Sequence, residues 1–135
     1  MSEPINGLFG KLFDEAGEQV QLTQEFESNL EYEKESYTVP GKFLKSHKVL
    51  NGEGSGSFTI LKADSRLQRK IAENPFAKYN YIGRLKEPGP GGEEAILYTG
   101  VSFDGTALLT YNVEEMVEAD FDFTFDDYRY ISSMA

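Results

Sequence analysis

The sequence predicts a mainly β protein, an antiparallel β-sandwich or small barrel with one short α-helix. Between Gln19 and Glu35 the residues alternate with a period of two, setting Val20, Leu22, Phe26, Leu30 and Tyr32 against Glu25, Glu27, Glu31, Glu33 and Glu35. The same design returns near the C-terminus, where Ala119, Phe121, Phe123 and Phe125 alternate with Glu118, Asp120, Asp122 and Asp126. Successive side chains of a strand point to opposite faces, so each segment needs a core on one side only. The third observation is Asp64-Ser65, a helix start, ahead of Leu67 and Ile71 one turn apart, with Asn74-Pro75 forcing the end.

In chain order, Leu8 to Phe13 is a short apolar segment, and Asp14-Glu15-Ala16-Gly17 turns it back into the long strand beginning near Glu18. From Ser36 to Gly56 the alternation fails, interrupted by Pro40-Gly41 and by Gly52, Gly54 and Gly56. Residues 36–56 are therefore expected to form a long excursion, of a kind uncommon in compact domains unless it has a task. Ser57 to Ala63 resumes as a strand, and the helix covers Arg66 to Glu73 with Arg69 and Lys70 exposed. Lys78 to Lys86 alternates again, followed by a Pro- and Gly-rich hairpin tip at residues 87–93. Glu94 to Phe103, Thr106 to Tyr111 and Glu118 to Asp126 complete the strands, with Asp104-Gly105 as a turn.

A chain of 135 residues is the size of one domain, expected here to span 1–135, and eight Tyr with ten Phe fill a core without Trp. A net charge of −10 argues against sequence-independent nucleic-acid binding, which needs clustered Lys and Arg to neutralise phosphates. Without Cys there is no disulfide framework, thiolate nucleophile or cysteine metal site, and a cytosolic origin fits. Met1 to Asn6 lacks a basic segment followed by an apolar run, and no window nears the roughly 18 apolar residues that cross a bilayer. The expectation is a chain neither exported by a standard signal nor spanning a membrane.

The single histidine, His47, has no second ligand or nucleophile partner for metal or triad chemistry, and reads as a loop contact residue. A repeating row of carboxylates lacks the unequal pair of acids that glycosidic chemistry demands, and no Asp-x-Asp-x-Asp-Gly loop marks a calcium site. Like charges two residues apart on a strand sit roughly 7 Å from one another, where each pair costs only about 0.6 kcal/mol in water. The rows thus read as solvated strand faces, and Gly52, Gly54 and Gly56 as a flexible loop base. The residues alone describe an acidic, non-enzymatic β domain with no cofactor or metal, with a small β-barrel that binds an apolar ligand as the alternative.

Beyond this, the order of segments resembles the tail tube proteins of contractile-tailed bacteriophages, PBSX-like prophages and tailocins. The likeness begins with Asn6, Gly10, Lys11 and Leu12 and continues through Phe26-Glu27-Ser28-Asn29-Leu30-Glu31. It runs on through His47-Lys48, the segment Gly52 to Thr59, and Lys62-Ala63-Asp64-Ser65-Arg66 leading into the helix. Val101-Ser102-Phe103-Asp104 and the segment Phe121 to Tyr128 close it. Ser46 departs from the Gly expected before the His-Lys pair, and the tip at 87–93 has its own composition.

The resemblance implies a protomer whose sheet joins a barrel shared by a homo-hexameric ring, with rings stacked head to tail. The excursion 36–56 would then reach the adjacent ring, and Lys42, Lys45, His47 and Lys48 would meet acidic groups there. Glu25, Glu27, Glu31 and Glu33 would face the lumen, with Asp120 and Asp122 as a second candidate row, repelling the phosphates of DNA in passage. The implied partners are tail sheath, tape measure and baseplate proteins. The implied place is the virion tail, assembled in the bacterial host cytoplasm, with DNA not specifically bound and no membrane involved.

Overall fold

The computed structural model describes residues 10–20, 22–86 and 92–133. The element order is β1 (Gly10–Phe13), β2 (Thr23–Tyr37), β3 (Ser46–Leu61), α1 (Arg66–Glu73), β4 (Tyr79–Lys86), β5 (Glu93–Phe103), β6 (Glu118–Phe125) and β7 (Asp127–Ser132). The anticipated mainly β class with one short helix is observed. Asn6 and residues 87–91 of the anticipated hairpin tip lie outside the described residues.

All pairings are antiparallel, in the order β1-β4-β5-β6-β3-β2, with β7 also paired to β5. β5 belongs to two layers. Its Ala95–Thr99 stretch lies between β4 and β7, and its last residues Ser102 and Phe103 pair with β6. The chain changes layer again at Asp126, between β6 and β7, where the Asp126 amide donates to the Thr99 carbonyl at 3.0 Å and Lys78 Nζ donates to Asp126 Oδ2 at 2.6 Å.

The core is aromatic because β6 delivers Phe121, Phe123 and Phe125 from one face, each buried, while Asp120, Asp122 and Thr124 stay exposed. Register aligns Phe26, Phe58 and Phe121 across β2, β3 and β6. Phe58 and Phe121 lie with centroids 5.2 Å apart, and Phe103 closes over them at about 6 Å from both. Tyr98 meets Phe125 edge to face at 5.0 Å and shares a 2.6 Å hydrogen bond with Ser28, so its hydroxyl is not stranded.

Three expectations are corrected. The excursion at 36–56 is mostly strand, since β2 and β3 pair from Thr23–Ile60 out to Tyr37–Ser46 and only residues 38–45 form the turn. Gly54 and Gly56 are not a loop base but the thin part of β3, facing the rings of Phe125 and Phe123. A Cβ on Gly56 would stand 2.5 Å from both Phe123 Cζ and the Glu27 carbonyl oxygen. Glycines that break a hydrophobic alternation here mark where a neighbouring ring needs room. Thr106–Tyr111 is not a strand; Leu108 and Leu109 in succession define no single face, and the segment belongs to the loop between β5 and β6. β7 was not anticipated, although Tyr128 and Tyr130 carry its period.

The helix spans the anticipated residues, but its start is held by Asp64 rather than Ser65. Asp64 Oδ1 accepts from the Arg66 amide at 3.0 Å, while Ser65 makes no side-chain cap. The adjacent Arg66 holds the exposed Asp64 carboxyl below its usual pKa through these hydrogen bonds. α1 buries Ile71 and Gln68 and ends where Asn74 Nδ2 donates to the Lys70 carbonyl at 2.9 Å.

Burial raises the hydroxyl pKa of Tyr81 well above the usual tyrosine value, with Asp14 adding to it, and raises Tyr98 despite the opposing Ser28 hydrogen bond. Below about pH 10 both folded and unfolded chains keep these protons, so nothing changes. Above it the unfolded chain releases protons that the fold retains, and stability falls by at most about 1.4 kcal/mol per pH unit for each tyrosine held neutral. Urea unfolding at rising alkaline pH should show this decline, and Tyr81→Phe should make it shallower; an unchanged slope would contradict the burial argument.

Candidate functional site: an acidic face across three strands

The two carboxylate rows, one on β2 and the other on β6 more than eighty residues later, meet on one surface. β3 lies between β2 and β6, and register sets Glu25 beside Thr59 and Thr59 beside Asp120. One step along, Glu27, Ser57 and Asp122 line up in the same way. Paired residues on adjacent strands share a face, so the acids flank a central strip of small hydroxyl side chains, opposite the aromatic core. Thr59 Oγ1 donates to Asp120 Oδ1 at 2.6 Å, and Asn29 Nδ2 donates to Glu27 Oε1 at 2.9 Å.

Glu31 and Glu33 continue the row along β2 beyond the end of β6, opposite Glu53 and Asn51. Two residues join the face that were not singled out as site residues. Glu53 sits within the glycine-rich stretch, whose broken alternation reads as loop, and Glu118, opposite Leu61, sits one step before Asp120 in the β6 alternation. No Lys or Arg lies among the outward residues of β2 from Glu25 to Glu33, or of their partners on β3 and β6. Two strands apart, about 10 Å, exposed carboxylates repel one another by only about 0.4 kcal/mol in water before salt screening. The face can stay fully ionised and present one sign of charge.

The basic group separates. Lys42 and Lys45 lie in the 38–45 turn, where the Lys42 amide donates to the Val39 carbonyl at 3.1 Å and Lys42 Nζ donates to Ser46 Oγ at 3.0 Å. His47 and Lys48 are within β3, opposite Ser36 and Glu35, and as neighbours on a strand they point to opposite faces. All four nonetheless belong to the far end of one hairpin, and no acid occurs between Glu35 and Glu53.

Among the described residues β2 pairs only with β3, leaving it a free edge, while β1 pairs with β4 and is met on its other side at Phe13 by a bridge to Gln19 and at the Leu12 carbonyl by the Val20 amide, 2.8 Å away. Between β1 and the β2 edge runs a groove of about 700 Å³, with Leu12, Phe26, Phe58 and Tyr98 inside and Lys11, Glu25, Glu27 and Arg84 along it. Arg84 is held by Glu93 at 2.5 Å. This is a charged cleft at a sheet edge and not an enclosed apolar chamber, while the interior is filled by aromatic rings. The ligand-binding barrel is accordingly not favoured.

The sequence model of a family described as "Phage tail tube protein" matches residues 1–132. The phage-like element PBSX protein XkdM of Bacillus subtilis (strain 168) is 28% identical over 131 residues, covering 92% of this chain and 88% of that protein. In fold, the chain is similar to one in the sheath-tube complex of the PVC extracellular contractile injection system in its extended state, with a TM-score of 0.76 at 8% identity, covering 98% of this chain and 94% of the other. It is also similar to a chain in the tail of an empty gene transfer agent particle solved with C6 symmetry, with a TM-score of 0.61 at 11% identity and coverage of 97% and 100%.

Proposed function

We propose that this chain, which belongs to the phage tail tube protein family, forms six-membered rings that stack into a hollow tube whose bore is lined by the acidic face of β2, β3 and β6. The observation that carries this reading is the union of Glu25, Glu27, Asp120 and Asp122 on one sheet face. Repeated around a ring, that face makes a wall of like charge that keeps duplex phosphates mobile instead of holding them. The free edge of β2 supports the ring, because an adjacent copy that pairs there removes the exposed edge and extends the sheet. The six-fold symmetry of the gene transfer agent tail supports the ring's order. By likeness to the sheath-tube complex the tube runs inside a sheath, and the resemblance to tail tube proteins adds a tape measure protein during assembly and a baseplate at the end, in the tail of a virion or phage-like particle.

Reversing the charge of this face tests the reading. Tubes built from a variant with Glu25→Lys, Glu27→Lys, Asp120→Lys and Asp122→Lys should retain duplex DNA at low salt, shielded from nuclease, and release it as salt rises; wild-type tubes should retain none. A reconstruction that places these four side chains on the outer wall would remove the bore assignment, as would variant tubes whose DNA is fully digestible.

A further inference from the structure

We infer that the tip of the β2–β3 hairpin docks onto the loop between β5 and β6 of the next copy along the tube. This rests on the proposed stacking and adds the identity of the receiving surface.

The two surfaces lie at opposite ends of the molecule. β6 begins at Glu118 beside Leu61, the last residue of β3, so the loop at residues 104–117 is at the end of the sheet away from the turn. At about 3.3 Å per residue the length of β3 separates the two by roughly 50 Å. A single molecule cannot bring them together, whereas a head-to-tail neighbour can, and the contact repeats because its two patches differ.

Their chemistry is complementary. The tip exposes Phe43, 99% accessible, and Leu44 between Lys42 and Lys45. The loop exposes Leu108, Leu109, Val113 and Met116, with Val113 92% accessible. It carries Asp104, Glu114 and Glu115, and no Lys or Arg occurs from Asp104 to Tyr128. Each surface joins exposed apolar side chains to charge of one sign, opposite in the two. Apolar exposure on this scale at both ends of a strongly acidic chain needs a partner.

The receiver is already shaped. Gln68 Nε2 on α1 donates to the Ala107 carbonyl at 2.9 Å, and the Glu115 amide donates to the Asn112 carbonyl at 3.2 Å, closing a turn. A loop tied to a helix loses less freedom on docking than a free one. The donor is the opposite case. Past the Gly54–Phe125 pair β6 ends, and the arm continues as two strands alone, a construction of marginal stability in water that a neighbouring surface would secure.

Charge exchange decides it. Glu114→Lys with Glu115→Lys should cut tube yield at least tenfold in negative-stain micrographs, and so should Lys42→Glu with Lys45→Glu. All four in one chain should restore at least half the wild-type yield. Absence of rescue in a chain with wild-type circular dichroism would overturn the pairing. A second readout uses the lack of cysteine. Leu44→Cys and Leu109→Cys proteins, mixed during assembly and oxidised, should give a disulfide-linked dimer at least tenfold above either alone; tubes without that dimer place the receiver elsewhere and overturn the inference. A folded wild-type chain that forms no tube strikes at the stacking itself rather than at the choice of receiver.

Discussion

Phe121→Ala will lower the unfolding free energy by about 3 to 5 kcal/mol, the usual cost of emptying a buried phenylalanine site. Phe121 is 1% exposed and touches the rings of both Phe58 and Phe103, from the next strand and from the end of β5. Its removal therefore opens a gap where the two layers join, which the stacked rings cannot close without leaving their own contacts. A domain of this size has roughly 5 to 15 kcal/mol in all, so the loss takes about a fifth of it or more. Urea unfolding followed by far-ultraviolet circular dichroism measures this directly. Leu109→Ala, at a position 76% exposed, should change stability by no more than about 0.5 kcal/mol. Equal losses for the two variants would mean that the aromatic junction does not organise the core.

Gly56→Ala should cost about 2 to 3 kcal/mol, although it adds a single methyl group. The new Cβ would meet a backbone atom, the Glu27 carbonyl oxygen, on one strand and the Phe123 ring on the other. A ring can tilt, but the carbonyl belongs to the β2–β3 ladder and moves only with its strand. The substitution thus pushes apart the same strands that bring Glu27, Ser57 and Asp122 together. Gly105→Ala supplies the comparison, since nothing lies within 4 Å of its added Cβ; it should be neutral or stabilise slightly by restricting the unfolded chain. A Gly56→Ala protein as stable as the wild type would show that β3 is not pinned at this point.

The same glycines hide a strand from the local sequence pattern. Alternation made β2 and β6 legible, because a two-residue period needs no knowledge of a partner. β3 loses its alternation at Gly52, Gly54 and Gly56, so most of a continuous strand reads as loop. The cause lies on other strands, in Phe123 and Phe125, which occupy the room that side chains on β3 would have filled. Likewise the segment 106–111 had strand-forming residues and no partner strand, while β7 had a partner in β5 that its own residues did not announce. The four basic residues are expected together in one loop; Lys42 and Lys45 do lie in the turn, but His47 and Lys48 belong to β3, and their opposite facing follows from a strand that local alternation does not reveal.

By itself the sequence determined the core face of β6, where the helix runs, and that two rows of carboxylates exist; of the apolar row on the first long strand only Val20 and Phe26 reach the core, while Leu22, Leu30 and Tyr32 are exposed. These are local properties, fixed by the geometry of one strand or one helical turn. Only the tertiary structure decided that the rows are one surface. That depends on β3 entering between β2 and β6 in a register set by glycine against phenylalanine, a contact between residues some seventy positions apart, and no local period records such a fit.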